Sequence, residues 1–178
     1  MARLEIIMGS MFSGKSSEMI RRLKRHKVIG DPILVINSSK DTRNPESVLQ
    51  THDNVTFECV KTNILLDIPA MKQYQSAKVI AVDEIQFFDG VRFFVEQALK
   101  DGKHLILAGL DGDFRQQRFG ELLNVIPLAD EVTKLQALCM ECMDGTLGPF
   151  TKRTVSGLVQ ELVGDCDMYK AVCRKHLV

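Results

Sequence analysis

Eight residues near the N-terminus have the types and spacing of a phosphate-binding loop. The run Gly9-Ser10-Met11-Phe12-Ser13-Gly14-Lys15-Ser16 fits the pattern G-x-x-x-x-G-K-[ST]. In this pattern the loop's backbone N–H groups surround phosphate oxygens and the lysine adds a positive charge beside the β- and γ-phosphates. The closing hydroxyl can bind Mg²⁺. The loop therefore predicts nucleotide binding, and the alternative is a plain glycine-rich turn.

Two adjacent carboxylates, Asp83 and Glu84, follow the short apolar run at residues 78–82. In a protein with a phosphate loop, this arrangement is typical of a Walker B strand, whose terminal acid holds Mg²⁺ directly or through water. Neighbouring side chains at the end of a strand point to opposite sides, so we expect the two acids to have different roles. The alternative is a pair of solvated acids in a turn.

The C-terminal part of the chain contains four candidate metal ligands. Cys139 and Cys142 have the same x₂ spacing as Cys173 and His176, and 30 residues separate the two pairs. A Cys₃His set suits a closed, tetrahedral, structural zinc site, which leaves no position for a reactive water. The alternative is a reduced Cys-x-x-Cys and an unrelated surface histidine. Cys166 lacks this spacing and is not included.

Composition limits the function classes. The chain has 178 residues, of which 45% are hydrophobic, so we expect one domain with at most a small appendage. Its 23 basic and 23 acidic residues give a formal net charge of zero, which argues against attraction to nucleic acid or an anionic membrane. An N-terminus that enters a strand directly and the lack of a long apolar run predict a soluble, cytosolic protein. Five cysteines, an odd count, disfavour a disulfide framework.

Apolar runs alternate with helical periodicity along most of the chain. Buried strands are predicted at residues 4–8, 33–36, 78–82 and 104–109, and a third strand in chain order at 55–60. Helices are predicted from Ser16 to before Gly30, at residues 64–74 and at 91–99. This alternation predicts an α/β fold with a parallel sheet and right-handed crossovers.

The positions of the motifs on these elements predict a single site. The phosphate loop, Asp83 with Glu84, and residues 110–114 each follow a strand, so they can converge at the carboxyl edge of the sheet. Residues 37–54 are expected to form a polar loop, and residues 132–138 are strand-like. The basic run on the first helix, which contains Arg21, Arg22, Lys24 and Arg25, is expected to be a solvated face.

These motifs together resemble the type II thymidine kinases. The resemblance is carried by the phosphate loop with its Met-Phe-Ser interior, by Asp-Thr-Arg at 41–43, by Asp-Glu-Ile-Gln-Phe-Phe at 83–88, and by Leu-Asp-Gly-Asp-Phe at 110–114. The Cys-x-x-Cys at 139–142 and the run at 169–174 follow in the same order. The resemblance covers almost the whole chain.

The resemblance implies a fold and an activity. The implied fold is a P-loop NTPase-like (RecA-like) α/β domain at residues 1–135, with a parallel sheet flanked by helices, and a zinc-binding lid at 136–178. The implied enzyme is an ATP:thymidine 5′-phosphotransferase that also accepts deoxyuridine and serves pyrimidine salvage. It implies a cytoplasmic homotetramer inhibited by dTTP, with ATP, Mg²⁺ and structural Zn²⁺ as cofactors and no nucleic acid or membrane partner.

The resemblance also assigns roles to individual residues. Glu84 matches the general base that takes the proton of the nucleoside 5′-hydroxyl. Lys15 and the loop amides are implied to hold the donor phosphates, and Arg43 to face the transferring phosphate. An ion pair between Arg43 and Asp41 is the alternative, and each pocket aromatic taken alone is more often a core residue. The implied ATP-binding residues are the eight of the loop, Asp41, Arg43, Asp83 and Gln86, with Ser16 and Asp83 at Mg²⁺. The implied thymidine-binding residues are Met11, Phe87, Leu110, Phe114, Phe119, Gln160, Leu162, Val163, Gly164 and Tyr169.

The chain departs from the family pattern at four places. Ile85 and Arg118 stand where the family often has glycine and proline, and Gly164-Asp165 stands where it often has paired glycines. His176 replaces a frequent cysteine. None of these departures removes a charge that phosphoryl transfer requires.

A second hypothesis belongs to another functional class. It is an ATP-driven switch or nucleic-acid-binding module in which the zinc element holds the polymer and Glu84 activates water. The zero net charge and the lack of an aromatic and basic stripe speak against it.

Overall fold

The computed structural model describes residues 1–41, 48–50, 56–155, 160 and 168–177. Six parallel strands form the central sheet, in the order β5-β2-β6-β7-β1-β8. The predicted parallel α/β sheet is therefore confirmed. The strands in chain order are β1 Arg3–Gly9, β2 Ile33–Ser38, β3 Val48–Gln50, β4 Thr56–Glu58, β5 Val60–Thr62, β6 Val79–Val82, β7 His104–Gly109, β8 Glu131–Leu135, β9 Ala137–Leu138, β10 Leu147–Gly148, β11 Phe150–Arg153 and β12 Tyr169–Val172.

Helices cover both faces of the sheet. The α-helices are α1 Lys15–Val28, α2 Lys72–Ser76 and α3 Val91–Lys100, and short 3₁₀ helices lie at Leu65–Ala70, Ile85–Phe87, Leu122–Leu128 and Arg174–His176. No helix within these described residues is both long and apolar enough to cross a membrane.

Alternate residues of the central strands supply two separate hydrophobic cores. In β7, Leu105 and Leu107 pack with the apolar face of α3, whereas Ile106 and Ala108 pack with that of α1. Side chains of a strand alternate between the two faces of a sheet, so a strand that is apolar at every position must be covered on both sides. The continuous apolar runs in the sequence therefore produced the buried strands that were predicted.

Two predictions for residues 37–62 are wrong in detail. The expected loop at 37–54 contains the end of β2 and the strand β3, and the expected strand at 55–60 is interrupted at Cys59. On one side of Cys59, β4 pairs antiparallel with β3, and on the other side β5 pairs parallel with β2. The alternation of apolar and polar residues runs from Val55 to Cys59 in the sequence, but the pairing partner changes at Cys59.

Two other elements are divided. The predicted helix at 64–74 is a 3₁₀ helix containing Pro69, followed by α2, with Met71 in an extended conformation between them. Proline removes one backbone donor, which a short 3₁₀ turn tolerates better than the interior of an α-helix. The strand-like segment at 132–138 divides into β8, which joins the main sheet, and β9, which pairs with β10.

The predicted solvated face of α1 is wrong for Arg22. This residue is 8% exposed, and its guanidinium forms ion pairs with Glu5 in β1 and with Glu18 in α1. The pKa of the Glu5 carboxyl lies well below its ordinary range, because hydrogen bonds from His104, Arg3 and Arg22 stabilise its charged form. Arg22 is therefore part of the buried contact between α1 and the sheet.

Candidate active site

The phosphate loop leaves the sheet at Gly9, where only glycine fits. Gly9 has φ +151°, and a Cβ atom added there would lie 2.2 Å from the carbonyl oxygen of Leu135 in β8. The loop ends at Gly14, which has φ +83° and immediately precedes α1. Both glycines of the sequence motif thus meet a backbone requirement, and they place the loop between β1 and the N-terminus of α1.

The lysine of the phosphate-loop motif lies inside this loop. Lys15 is 9% exposed, and its Nζ donates a hydrogen bond of 2.8 Å to the carbonyl oxygen of Ser10. Ser13 Oγ donates to the same oxygen, also at 2.8 Å. A buried ammonium group beside a helix N-terminus concentrates positive potential, which is the arrangement that binds phosphate.

The loop and the predicted Walker B acid are brought together. Ser16 Oγ donates a hydrogen bond of 2.7 Å to Asp83 Oδ2, and Asp83 is 1% exposed at the end of β6. Mg²⁺ binds oxygen ligands and usually takes one or two from the protein, completing its shell with water and substrate phosphates. A hydroxyl and a carboxylate in contact beside a phosphate loop fit that demand.

Glu84, the predicted base, has an unusual backbone conformation. Its φ is +52°, in the left-handed region that costs an L-residue about 1–2 kcal/mol. The Glu84 N–H donates to Asp83 Oδ1 at 3.0 Å, and the side chain of Gln86 donates to Glu84 Oε2. The described side-chain hydrogen bonds of the two acids differ, since Asp83 accepts from Ser16 and Glu84 accepts from Gln86, and their different roles stay a prediction.

Gln86 joins Glu84 to the end of β7. It is 3% exposed, and its Oε1 accepts a hydrogen bond of 3.0 Å from the backbone N–H of Leu110. Glycines allow this close approach: a Cβ atom at Gly109 would lie 2.6 Å from Gln86 Oε1, and one at Gly120 would lie 2.4 Å from the Gln86 carbonyl oxygen. The described contacts of Gln86 are those of a residue that orients Glu84, and its role in binding ATP stays a prediction.

The predicted aromatic residues form two contacts. Phe87 and Phe119 meet edge to face, with ring centroids 5.7 Å apart. Phe114 is covered by the guanidinium of Arg153, whose Cζ lies 3.9 Å from the ring centroid, and Arg153 Nη2 also donates to Tyr169 Oη at 2.8 Å. Arg153 thus connects two predicted pocket residues, and the sequence motifs did not indicate it.

Gln160 and Asp41 are two further predicted residues with described contacts. Gln160 Nε2 donates to Asp113 Oδ2 at 2.8 Å, which joins it to the segment that contains Phe114. Asp41 is 4% exposed just after β2 and accepts a hydrogen bond of 3.1 Å from Asn37 Nδ2. The other predicted residues of these segments, Arg43, Leu162, Val163 and Gly164, lie outside the described residues.

The four predicted metal ligands form one cluster. Their ligand atoms all lie within 4.8 Å of one another. Cys142 Sγ is 3.8 Å from Cys173 Sγ and 3.4 Å from His176 Nδ1, and Cys139 Sγ is 3.7 Å from the same nitrogen. A tetrahedral zinc ion with Zn–S bonds of about 2.3 Å requires ligand separations of about 3.5–3.8 Å. The cluster therefore could bind zinc.

The charges of the cluster also suit a cation. Burial opposes ionisation of Cys139, but backbone N–H donors at Cys173 and Cys142 outweigh it and lower the pKa of the Cys139 thiol to about 6. Burial, followed by the neighbouring sulfurs of Cys139 and Cys173, raises the pKa of the Cys142 thiol to about 11. A bound divalent cation would favour the ionised form of these thiols.

Two hydrogen bonds connect the phosphate loop to this C-terminal region. Ser10 Oγ donates to the carbonyl oxygen of Gly148 at 3.0 Å, and the backbone N–H of Met11 donates to Thr151 Oγ1 at 3.0 Å. The partners are 138 and 140 residues apart in the chain. No local sequence signal could have indicated these contacts.

A family model and several known proteins match nearly the whole chain. A family model described as thymidine kinase matches residues 2–177. "Thymidine kinase a" of Arabidopsis thaliana is 42% identical over 98% of this chain and 74% of its own length. "Thymidine kinase, cytosolic" of Bos taurus is 41% identical over 97% of this chain and 70% of its own. "Thymidine kinase" of Myxoma virus (strain Uriarra) is 40% identical over 97% of this chain and 94% of its own.

The matches include both the phosphate loop and the cysteine and histidine cluster, because they extend over nearly the whole chain. The resemblance inferred from the motifs is confirmed, and the chain belongs to the thymidine kinase family.

Proposed function

We propose that this chain transfers the γ-phosphate of ATP to the 5′-hydroxyl of thymidine, giving dTMP and ADP, and that it also accepts deoxyuridine. The observation that carries the proposal is the hydrogen bond between Ser16 and Asp83, since it brings the phosphate loop next to Glu84 in a chain of this family. Phosphoryl transfer depends mainly on positioning and charge stabilisation, and these residues supply both.

The phosphate donor is held by the loop. The loop N–H groups and Lys15 bind the β- and γ-phosphates, and Arg43 contacts the phosphate in transfer. Ser16 would bind Mg²⁺ and Asp83 would hold its water shell, and the bound ion would neutralise charge on the phosphates. The remaining predicted contacts of ATP come from Asp41 and Gln86.

Glu84 acts as the general base. Its carboxylate accepts the proton of the 5′-hydroxyl as that oxygen attacks the γ-phosphorus, and the bond to the β-phosphate oxygen breaks. A well-placed general base typically accelerates a reaction by about 10²–10⁴-fold. The contact with Gln86 supports this role, because it fixes the direction of the carboxylate.

The nucleoside binds against the aromatic residues. Phe114 packs on the pyrimidine ring, and Phe87, Phe119, Met11 and Leu110 surround it. The segment from Gln160 through Leu162, Val163 and Gly164, with Tyr169, closes over the base. Deoxyuridine lacks only the methyl group of thymidine, so the same proposed pocket would accommodate it.

We propose zinc as the metal of the Cys₃His cluster, in a lid formed by residues 136–178 that is distinct from the α/β domain at 1–135. The donor set and the spacing of its atoms support this choice. Metal analysis of the purified chain tests it: about one zinc per chain is expected, and Cys142→Ser should lose it. Retention of zinc by Cys142→Ser would contradict the assignment.

The family resemblance supports the biological setting. We propose a homotetramer that works in pyrimidine salvage, and the cytosolic relatives support a cytoplasmic location. We also propose inhibition by dTTP, because this nucleotide would present a thymine to the proposed pocket and a triphosphate to the phosphate loop.

The activity is tested by measuring ADP formation with thymidine, deoxyuridine, other nucleosides and single-stranded DNA. Thymidine should stimulate ATP consumption and yield dTMP. Stimulation by DNA without a thymidine product would instead support a nucleic-acid-dependent ATPase.

The role of Glu84 is tested by Glu84→Gln. This variant should bind ADP normally and lose about 10²–10⁴-fold in turnover, since it keeps the size of the side chain but cannot accept the proton. Glu96→Gln is the matched control, because Glu96 lies on the exposed face of α3 in an ion pair with Arg92. Turnover of Glu84→Gln close to that of the control would exclude Glu84 as the base.

A further inference from the structure

Hydrogen bonds join the phosphate loop to the strands β10 and β11, which lie outside the central sheet. Ser10 is 2% exposed, and its hydroxyl donates to the Gly148 carbonyl oxygen in β10. Thr151 in β11 is 6% exposed, and its hydroxyl accepts from the Met11 N–H. Both partners belong to short strands next to the Cys₃His cluster. Two buried hydrogen bonds thus connect the loop that holds phosphate with the region that holds the metal.

The position of Gly148 depends on the backbone of a cluster cysteine. A Cβ atom at Gly148 would lie 3.1 Å from the N and Cα atoms of Cys139 and 3.1 Å from the N atom of Val172. The Cys139 N–H also donates to the Thr146 carbonyl oxygen at 2.7 Å, two residues before Gly148. The direction of the Gly148 carbonyl is therefore set by close packing against Cys139.

The hydrogen bond between Met11 and Thr151 also depends on residues next to the metal ligands. Thr151 lies opposite Ala171 in the antiparallel pair β11 and β12. The carbonyl oxygen of Ala171 accepts a hydrogen bond of 2.9 Å from the Met140 N–H, and the Cys173 N–H donates to Cys139 Sγ at 3.2 Å. The strands that carry both partners of the phosphate loop are thus joined through residues adjacent to the metal ligands.

Ser10 connects the C-terminal strands to the phosphate-binding Lys15. Its side chain bonds Gly148, while its backbone carbonyl oxygen accepts from Lys15 Nζ and from Ser13 Oγ, each at 2.8 Å. A shift of Ser10 therefore moves an acceptor of the lysine ammonium group. Among the described contacts of the loop, Ser10 is the residue that touches both the lysine and the C-terminal strands.

We propose that Ser10 is a positioning residue through which the metal-bound cluster holds the phosphate loop in its nucleotide-binding conformation. Metal occupancy then raises the affinity of the chain for nucleotide phosphates, and by linkage nucleotide raises the affinity for the metal. The inference rests on the proposed nucleotide and zinc sites. It differs from a purely structural zinc role because it predicts coupling between the two ligands.

The coupling is measured as the dissociation constant of ADP, by calorimetry, for the full chain with and without zinc. Removal of zinc should weaken ADP binding about fivefold in the wild type, which corresponds to about 1 kcal/mol, the usual net value of one hydrogen bond. Ser10→Ala should bind ADP about fivefold more weakly than wild type when zinc is present. Removing zinc from Ser10→Ala should weaken ADP binding by clearly less than fivefold, since among the described contacts only the hydrogen bond between Met11 and Thr151 still connects the loop to the C-terminal strands.

Ser13→Ala is the matched control. Ser13 also donates to the Ser10 carbonyl oxygen, but its described hydrogen bond stays within the loop. Ser13→Ala should therefore keep the fivefold dependence on zinc, whatever its own ADP affinity. If Ser10→Ala only weakened the loop in general, its ADP affinity would still depend on zinc, as that of Ser13→Ala does.

A double-mutant cycle covers the case in which the zinc-free chain unfolds. Gly148→Ala moves β10 away from Cys139, so in zinc-loaded protein it should weaken ADP binding when Ser10 is present. It should have less than a twofold effect in Ser10→Ala, because the connection is already broken. Additive effects of the two substitutions would overturn the inference.

These measurements distinguish failure of the proposed coupling from failure of the proposed nucleotide and zinc sites. Absence of ADP binding in every variant would exclude the nucleotide site. Absence of zinc in the purified wild type would exclude the metal site. Either result would also overturn the proposed coupling between the two sites. Normal ADP and zinc binding, with the same zinc dependence in Ser10→Ala as in wild type, would overturn the coupling alone.

Discussion

The most informative substitution at the active site is Gln86→Met. Methionine is close to glutamine in length and volume, so the space between Gly109 and Gly120 stays filled. The substitution removes the hydrogen bond to the Glu84 carboxylate and leaves the buried N–H of Leu110 without its side-chain acceptor. Turnover should therefore fall while the phosphate loop stays intact.

The magnitude follows from these contacts. A hydrogen bond to a charged group contributes about 1.5–3 kcal/mol, and a buried donor left without a partner costs about 1–3 kcal/mol. If the bond to Glu84 acts mainly in the transition state, its loss reduces kcat by about 10–100-fold, because each 1.36 kcal/mol is tenfold in rate. The unpaired N–H of Leu110 should lower the free energy of unfolding by about 1–3 kcal/mol.

The assay measures thymidine-dependent ADP formation together with the dissociation constant of ADP. Gln97→Met is the control, because Gln97 donates a similar hydrogen bond of 3.0 Å to the Asp101 carboxylate at an exposed site of α3. We expect kcat to fall only in Gln86→Met, and any weakening of ADP binding in this variant measures the predicted contact of Gln86 with the nucleotide. A folded Gln86→Met variant with the kcat of the control would refute the view that Gln86 orients the base.

Three further predictions concern stability. Gly9→Ala should lower the free energy of unfolding by more than Gly30→Ala, since both residues have positive φ but only Gly9 has a backbone carbonyl 2.2 Å from the added Cβ; equal losses in denaturant titrations would contradict the steric argument. Arg22→Met should cost about 1.5–3 kcal/mol because it removes charge-assisted hydrogen bonds to Glu5 and Glu18 in a buried contact, while Glu5 keeps Arg3 and His104 and Glu18 keeps Arg21; Arg21→Met, at a side chain that is 58% exposed, should cost less. Hydrogen bonds from Arg21 and then Arg22 lower the pKa of Glu18 from 4.5 to about 2, so its contribution is complete above pH 4.5 and is lost as the pH falls towards 2. Glu18→Gln should flatten this part of the pH profile of the unfolding free energy, and an unchanged profile would show that the contact contributes nothing.

The active site could be predicted from the sequence where its chemistry depends on residues close together in the chain. Gly9, Gly14, Lys15 and Ser16 are fixed by their spacing, because the loop folds its own backbone around phosphate. The apolar runs gave the parallel strands for a similar reason, and strands in parallel place their following residues at one edge. The contact of Ser16 with Asp83 agrees with that expectation.

The cysteine and histidine cluster was predictable in its members but not in its connections. The x₂ spacing of each pair identifies residues that can point to one ion. Nothing in that spacing indicates that Gly148, between the two pairs, accepts a hydrogen bond from Ser10. That contact depends on how the C-terminal strands pack against the sheet.

The sequence by itself determined the alternation of strands and helices, the phosphate loop, the acid pair and the metal ligands, since each is a pattern within one short segment. The tertiary structure decided which groups meet across the chain: the burial of Arg22 against Glu5, the placement of Gln86 between Glu84 and Leu110, and the exchange of pairing partners at Cys59. The physical reason is that a side chain's burial and partners depend on the order of strands in the sheet and on close packing. Periodicity along the chain specifies a face of an element, but not the residue that covers it.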